Sequence, residues 1–159
     1  MNIELDPSTR IPEGLLPLPL PEERVLYMAE QPIVYLTRNS QGQVMLAYLA
    51  GEDARHRFTL LAPISDRDLR LLEQGQLSMR DALTGTWMWL LRECQRTGAA
   101  GLWAVCLAQL PENHLPHPGT PLLPEHDFIA PASPARASVD PSTPRVIGVG
   151  PWSPGAIRR

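Results

Sequence analysis

The sequence predicts an α+β domain: an antiparallel sheet of about five or six strands, two short helices on one face, and irregular, proline-rich termini. Three observations carry that reading. Short apolar and β-branched runs recur between tight polar turns in the middle of the chain. Two Ser-x-x-Asp helix starts follow them. The 18 prolines fall almost entirely outside the stretch from Pro32 to Pro111, which holds Pro63 alone. That distribution divides the chain into an N-terminal extension at 1–23, a core domain at 24–123 and a low-complexity tail at 124–159.

The extension carries Leu15-Leu16-Pro17-Leu18-Pro19-Leu20-Pro21, leucine alternating with proline. Proline has no amide to give a sheet ladder, so polyproline II is the natural conformation here. Its leucines must rest on something, either this chain's own core or a partner. Val25 to Met28, Ile33 to Thr37, Val44 to Leu49 and Arg57 to Ala62 then read as four strands. The turns between them are expected at Asn39 to Gly42 and at Gly51 to Ala54, which makes an antiparallel meander.

Pro63 ends this run. Ser65 is placed to cap a helix, with Asp68 three residues on, where an acid suits the helix dipole. Leu69, Leu71 and Leu72 supply its buried stripe, and Gly75 ends it in the left-handed conformation. Ser78 and Asp81 repeat the device for a helix from Met79 to Leu83. Two more strands are expected at Trp87 to Leu91 and Leu102 to Leu110, joined by a turn at Thr97 to Gly101. In one register of that hairpin, Cys94 and Cys106 lie nearly opposite each other. Pro111 to Pro124 reads as extended and polar, and Ala130 to Ser142 as Ala/Pro/Ser low complexity. An apolar island, Val146 to Trp152, interrupts the tail.

The net charge is −3, which argues against a strong non-specific grip on nucleic acid. All 14 cationic side chains are arginine, a bias expected of a GC-rich bacterial genome. No apolar run approaches a membrane span, and the opening residues do not read as a secretory signal, so a cytoplasmic protein is expected. Two cysteines, Cys94 and Cys106, could form a redox-sensitive cross-strand bridge, but in a cytoplasm they are expected as buried, reduced thiols.

No phosphate-binding glycine loop, nucleophile elbow or zinc-spaced cysteine pair is present, and no motif implies a cofactor. Three residue groups remain as candidates. His114, His117, His126 and Asp127 could ligate a metal, which would make a metal-dependent enzyme, but they fall in proline-rich sequence without a rigid scaffold. Arg55, Arg57, Arg67 and Arg80 could form an anion-binding face for a nucleotide or nucleic acid, although acids are interspersed among them. Leu16, Leu18 and Leu20, together with Val146, Ile147, Val149 and Trp152, could meet a protein partner. The aromatic residues Tyr27, Tyr35, Tyr48, Trp87, Trp89 and Trp103 fall on strands and read as core, with Trp87 and Trp89 on one face. Glu52 and Asp53, adjacent in a turn, should diverge rather than act together.

The run Leu60 to Ser65, with Leu69, Leu72, Gly75 and Leu77-Ser78-Met79-Arg80-Asp81-Ala82-Leu83, resembles an uncharacterised family of small bacterial proteins. These combine a strand meander, a Pro-x-Ser helix start and a Leu-Ser-x-Arg-Asp helix. Leu110-Pro111, Leu115-Pro116 and Gly119 are similar to the family's later segment, so the likeness spans Arg24 to Leu123. It implies a fold and no activity. The functional expectation is therefore a non-catalytic accessory or regulatory module that binds a protein partner through its proline-rich or C-terminal segment.

Overall fold

The computed structural model describes residues 3–122. Six strands form one sheet in chain order: β1 (Arg24–Met28), β2 (Pro32–Arg38), β3 (Val44–Glu52), β4 (His56–Pro63), β5 (Met88–Cys94) and β6 (Ala100–Val105). Every neighbouring pair is antiparallel, and the helices α1 (Asp66–Glu73) and α2 (Met79–Thr84) join β4 to β5. This is the expected α+β architecture.

Register separates the side chains into two faces. Val34, Tyr48, Leu60, Leu90 and Trp103 form one cross-strand row. Tyr35, Ala47, Leu61, Trp89 and Ala104 form the row beside it, pointing the other way. Both rows are apolar, so the sheet must be covered on both sides.

The helices cover the first face. Ser65 and Ser78 cap them as the sequence predicts, their hydroxyls accepting from the amides of Asp68 and Asp81 at 3.1 Å each. Gly75, at φ 75°, turns the chain out of α1. Leu72 is fully buried against the first-face row, as are Met79 and Leu83 of α2. An ion pair between Arg24 and Glu73 ties β1 to α1.

The chain after β6 is less extended and polar than its composition suggests. Leu110, Leu115 and Leu122 are all buried in the same core. The Met79 amide donates to the Thr120 carbonyl at 3.0 Å, and Ser78 bridges Pro121, so this segment packs beside α2.

The residues before β1 cover the second face. The Ile11 amide donates to the Leu102 carbonyl (2.8 Å), which attaches the segment to the free edge of β6. The Ser40 amide donates to the Leu15 carbonyl (3.0 Å), at the turn between β2 and β3. Between these anchors the segment crosses the sheet, and Leu16 is buried among Tyr35, Met45, Ala47, Leu61, Leu91 and Leu102. The Glu23 amide then donates to Leu36 (2.9 Å) and leads into β1. Residues 10–23 are thus a strap across the sheet, and Leu16 and Leu20 meet this chain's own core.

Three local expectations are corrected. First, β3 continues through Gly51 to Glu52, because a bulge between Leu49 and Gly51 absorbs the glycine. The turn moves on to Asp53, whose carboxylate accepts from the Arg55 and His56 amides, both at 2.8 Å. Second, β6 stops at Val105, because the Cys106 amide donates to the Gln109 side chain (2.7 Å) and curls the chain into a 3₁₀ turn at Leu107–Gln109. Third, the two cysteines are not opposed. The ladder runs from Glu93↔Ala100 to Met88↔Val105, which puts Cys94 and Cys106 just beyond its opposite ends, about 23 Å apart at strand rise. Both are free thiols, Cys94 half-buried and Cys106 exposed rather than buried, because each lies past the end of that ladder, and their separation is far beyond a disulfide's reach.

Leu16 holds the strap down, so Leu16→Ala should destabilise the fold by roughly 2–5 kcal/mol. Urea unfolding measures this. A loss well below that range would mean the strap does not cover the second face in solution.

Candidate binding site

The strap is preceded by a 3₁₀ turn at Pro7–Thr9, capped by Asp6, whose carboxylate accepts from the Ser8 amide at 2.9 Å. That bond holds the Asp6 carboxyl below its usual range. Arg10 then bridges Trp103 on the β6 edge. Gly14, at φ 95°, bends the strap away from the edge, a conformation a side chain would resist. Between this bend and β6 lies a groove of about 340 Å³. Leu16 and Leu18 of the strap and Leu91 and Leu102 of the sheet line it, with Gly98, Ala100 and Gly101 along β6 and the turn before it. Arg10 and Glu13 are the two charged residues of its lining. Leu16 is 7% exposed and Leu18 is 50% exposed, so Leu18 offers its side chain to solvent at the groove.

The β6 edge beside the groove is open. Leu102 turns its carbonyl outward to Ile11, so Ala100, two residues earlier, also turns its backbone away from β5. The strap has diverged by then. An extended ligand lying in the groove would find both apolar walls and an unpaired strand position.

A second polar group lies elsewhere on the same face. The Tyr35 hydroxyl hydrogen bonds Thr59, while burial, with Glu22 and Glu93 nearby, pushes its pKa up to about 12. Glu93 sits across from Arg57, and its pKa is raised because burial outweighs that attraction. Arg57 is already engaged, donating to Glu52 (2.8 Å) and Gln31 (3.1 Å). The cluster is a set of satisfied cross-strand contacts around the end of β4.

The arginines expected as one anion-binding face are dispersed. Arg55 is exposed in the β3–β4 turn, and Arg57 points from β4 onto the second face. Arg67 lies on α1, 3.5 Å from Asp68. Arg80 on α2 is clamped by both carboxylate oxygens of Glu112 and also donates to the Pro116 carbonyl. Glu52 and Asp53 do diverge, one to Arg57 and the other to its own turn.

Of the histidine set, His114 closes a 3₁₀ turn at Glu112–His114, with its Nδ1 3.1 Å from the Ala50 carbonyl. His117 is exposed, five residues before the chain reaches Leu122. His126 and Asp127 lie outside the described residues, as do Val146, Ile147, Val149 and Trp152. Among the described residues, no group of three or more His, Cys, Asp or Glu side chains is placed to hold a metal ion. No helix among them is long and apolar enough to cross a membrane.

The aromatic residues are only partly core. Trp103 is buried, but Trp87 lies outside β5 and is 43% exposed. It stacks at a tilt on Trp89, with ring centroids 4.9 Å apart. Sequence reasoning missed Arg10, Glu13 and Arg92, because each is an isolated charge whose neighbours come from distant segments. The signal nearest to hand was Gly101, two residues before Trp103, which marks a strand position where a side chain has no room.

Comparison with family models, with curated proteins and with solved structures found no match.

Two predictions follow from the titrating groups. The folded-state pKa of Glu93 is raised, so its protonated form favours folding, and stability falls as pH rises from the unfolded value through the folded one. Glu93→Gln should then raise the urea midpoint at pH 7 and leave it unchanged at pH 4; the reverse order would contradict this burial. Hydrogen bonds from Thr97 and the Arg96 amide lower the Cys94 thiol to about 7. Iodoacetamide labelling read by mass spectrometry should accelerate at Cys94 as pH passes through that value, and Thr97→Ala should move the acceleration upward.

Proposed function

We propose that this chain is a non-catalytic protein-binding module, an accessory or regulatory subunit of a bacterial complex. Its contact uses the groove between the strap and β6. The observation that carries this reading is the groove's lining: apolar walls, a half-exposed leucine and an open strand position, with no Ser, Thr, Cys, His or Tyr side chain in it. Such a lining suits burial of a partner's apolar side chain, and Glu13 is the one carboxylate along it, with no second titratable acid or base beside it to share proton-transfer work. The island at Val146 to Trp152 is a second contact segment in this reading, since Val, Ile and Trp gain most from leaving water.

The test is co-purification from the native host with three baits: the intact chain, Leu18→Asp, and a chain truncated after Ile129. A stoichiometric partner should appear with the intact chain, identified by mass spectrometry. Its affinity should then fall at least about tenfold for Leu18→Asp, the scale of a lost apolar anchor. Equal affinity for Leu18→Asp would refute the groove as the contact. Equal affinity for the truncated chain would remove the tail from it.

A further inference from the structure

On the face opposite the groove's leucines, two guanidinium groups converge on one indole. The Arg10 guanidinium carbon lies 5.2 Å from the Trp103 ring centroid, and that of Arg92 lies 4.8 Å from it. The two cations are therefore no more than about 10 Å apart, within a Debye length of each other at ordinary salt. Neither has an ion pair among the described residues. The nearest acids in sequence do not supply one. Glu93 follows Arg92 but points to the other face, toward Arg57, and Glu13 follows Arg10 into the groove lining.

The indole between them is firmly set. Trp103 is 5% exposed. A Cβ on Gly101 would come within 2.5 Å of its ring and 3.3 Å of an Arg10 nitrogen, so the ring and that guanidinium both rest over the missing side chain. Gly101 is paired with Arg92, which shares the same face. Stacking on an aromatic ring orients a guanidinium and leaves its N–H edge free to donate. Two such edges on one ring, neither with an ion pair among the described residues, leave two forked donors without a counter-ion.

We propose that Arg10 and Arg92 bind a phosphate dianion at Trp103, either free or as a phosphomonoester. Two forked donors match a tetrahedral dianion, which has enough oxygens to accept from both. A single carboxylate brings fewer acceptor oxygens and half the charge to the two forks, and so should bind more weakly. Arg10 belongs to the strap and Arg92 to β5, so the anion would also fasten the strap to the sheet beside the groove. Arg10 also lines the groove, so the anion site adjoins the partner contact proposed above but does not rest on it.

The experiment uses the full chain at constant ionic strength. The Trp103 indole N–H resonance is followed by NMR while inorganic phosphate, phenyl phosphate or acetate replaces chloride. A saturable shift with phosphate is expected, with acetate far weaker. Phenyl phosphate binding as tightly as inorganic phosphate would assign the site to monoesters as well as the free ion. Arg10→Ala and Arg92→Ala should each weaken binding by about tenfold or more, the worth of a charged hydrogen bond. Arg10→Lys, which keeps the strap's charge but not its fork, should weaken it too, while Arg67→Ala on α1 should not. The proposal fails if phosphate gives no saturation, if acetate matches phosphate, or if Arg67→Ala costs as much as the two site variants. The partner assay reads Leu18 and the tail, whereas the phosphate titration reads Arg10 and Arg92, so either idea can fail alone.

Discussion

A sheet with apolar residues on both faces of its central strands has to be covered twice. In β3 and β4 nearly every residue from Met45 to Tyr48 and from Phe58 to Ala62 is buried, so alternation gives no face to water. That requirement explains the rest of the architecture. Two short helices and the chain after β6 cover one side. A short proline-rich strap covers the other. Prolines suit that task, because a strap laid flat over a sheet face makes few ladder bonds, and a chain already stiff loses less entropy on docking. Its amide bonds occur where it meets backbone, at Leu102, Ser40 and Leu36.

A strap covers less completely than a helix layer. Its bend at Gly14 leaves the groove, its own Leu18 stands half in solvent, and the β6 edge is paired at Leu102 but open at Ala100. The same crossing brings Arg10 over the edge onto Trp103, where Arg92 already lies. The groove and the arginine pair therefore share one origin, the place where an irregular segment passes over the side of a regular sheet.

Much of the fold was legible because its signals are local. Ser65 and Ser78 each need only an amide three residues on, and Gly75 needs only its own dihedral freedom. The features that were not legible depend on distant partners. Gly51 carries the same turn signal whether it ends a strand or sits in a bulge, and the ladder to Phe58 decides between the two. The end of β6 is set by a single side chain, Gln109, folding back on Cys106. The strap's leucines announced that they needed cover, but not which surface would provide it. The site was less legible still, since Arg10, Arg92 and Trp103 are brought together by three separate segments.

The strap also separates the order of synthesis from the order of assembly. Each strand of the meander pairs with the strand made just before it, so the sheet can grow as the chain emerges. The strap is made first, yet its edge anchor at Leu102 belongs to the last strand. Until β6 is complete, Leu16 and Leu20 have no finished surface to rest on, and the second face of β3 and β4 stands open. A nascent chain paused between these points would expose a broad apolar plane, and chaperones would meet this protein there rather than at its helices.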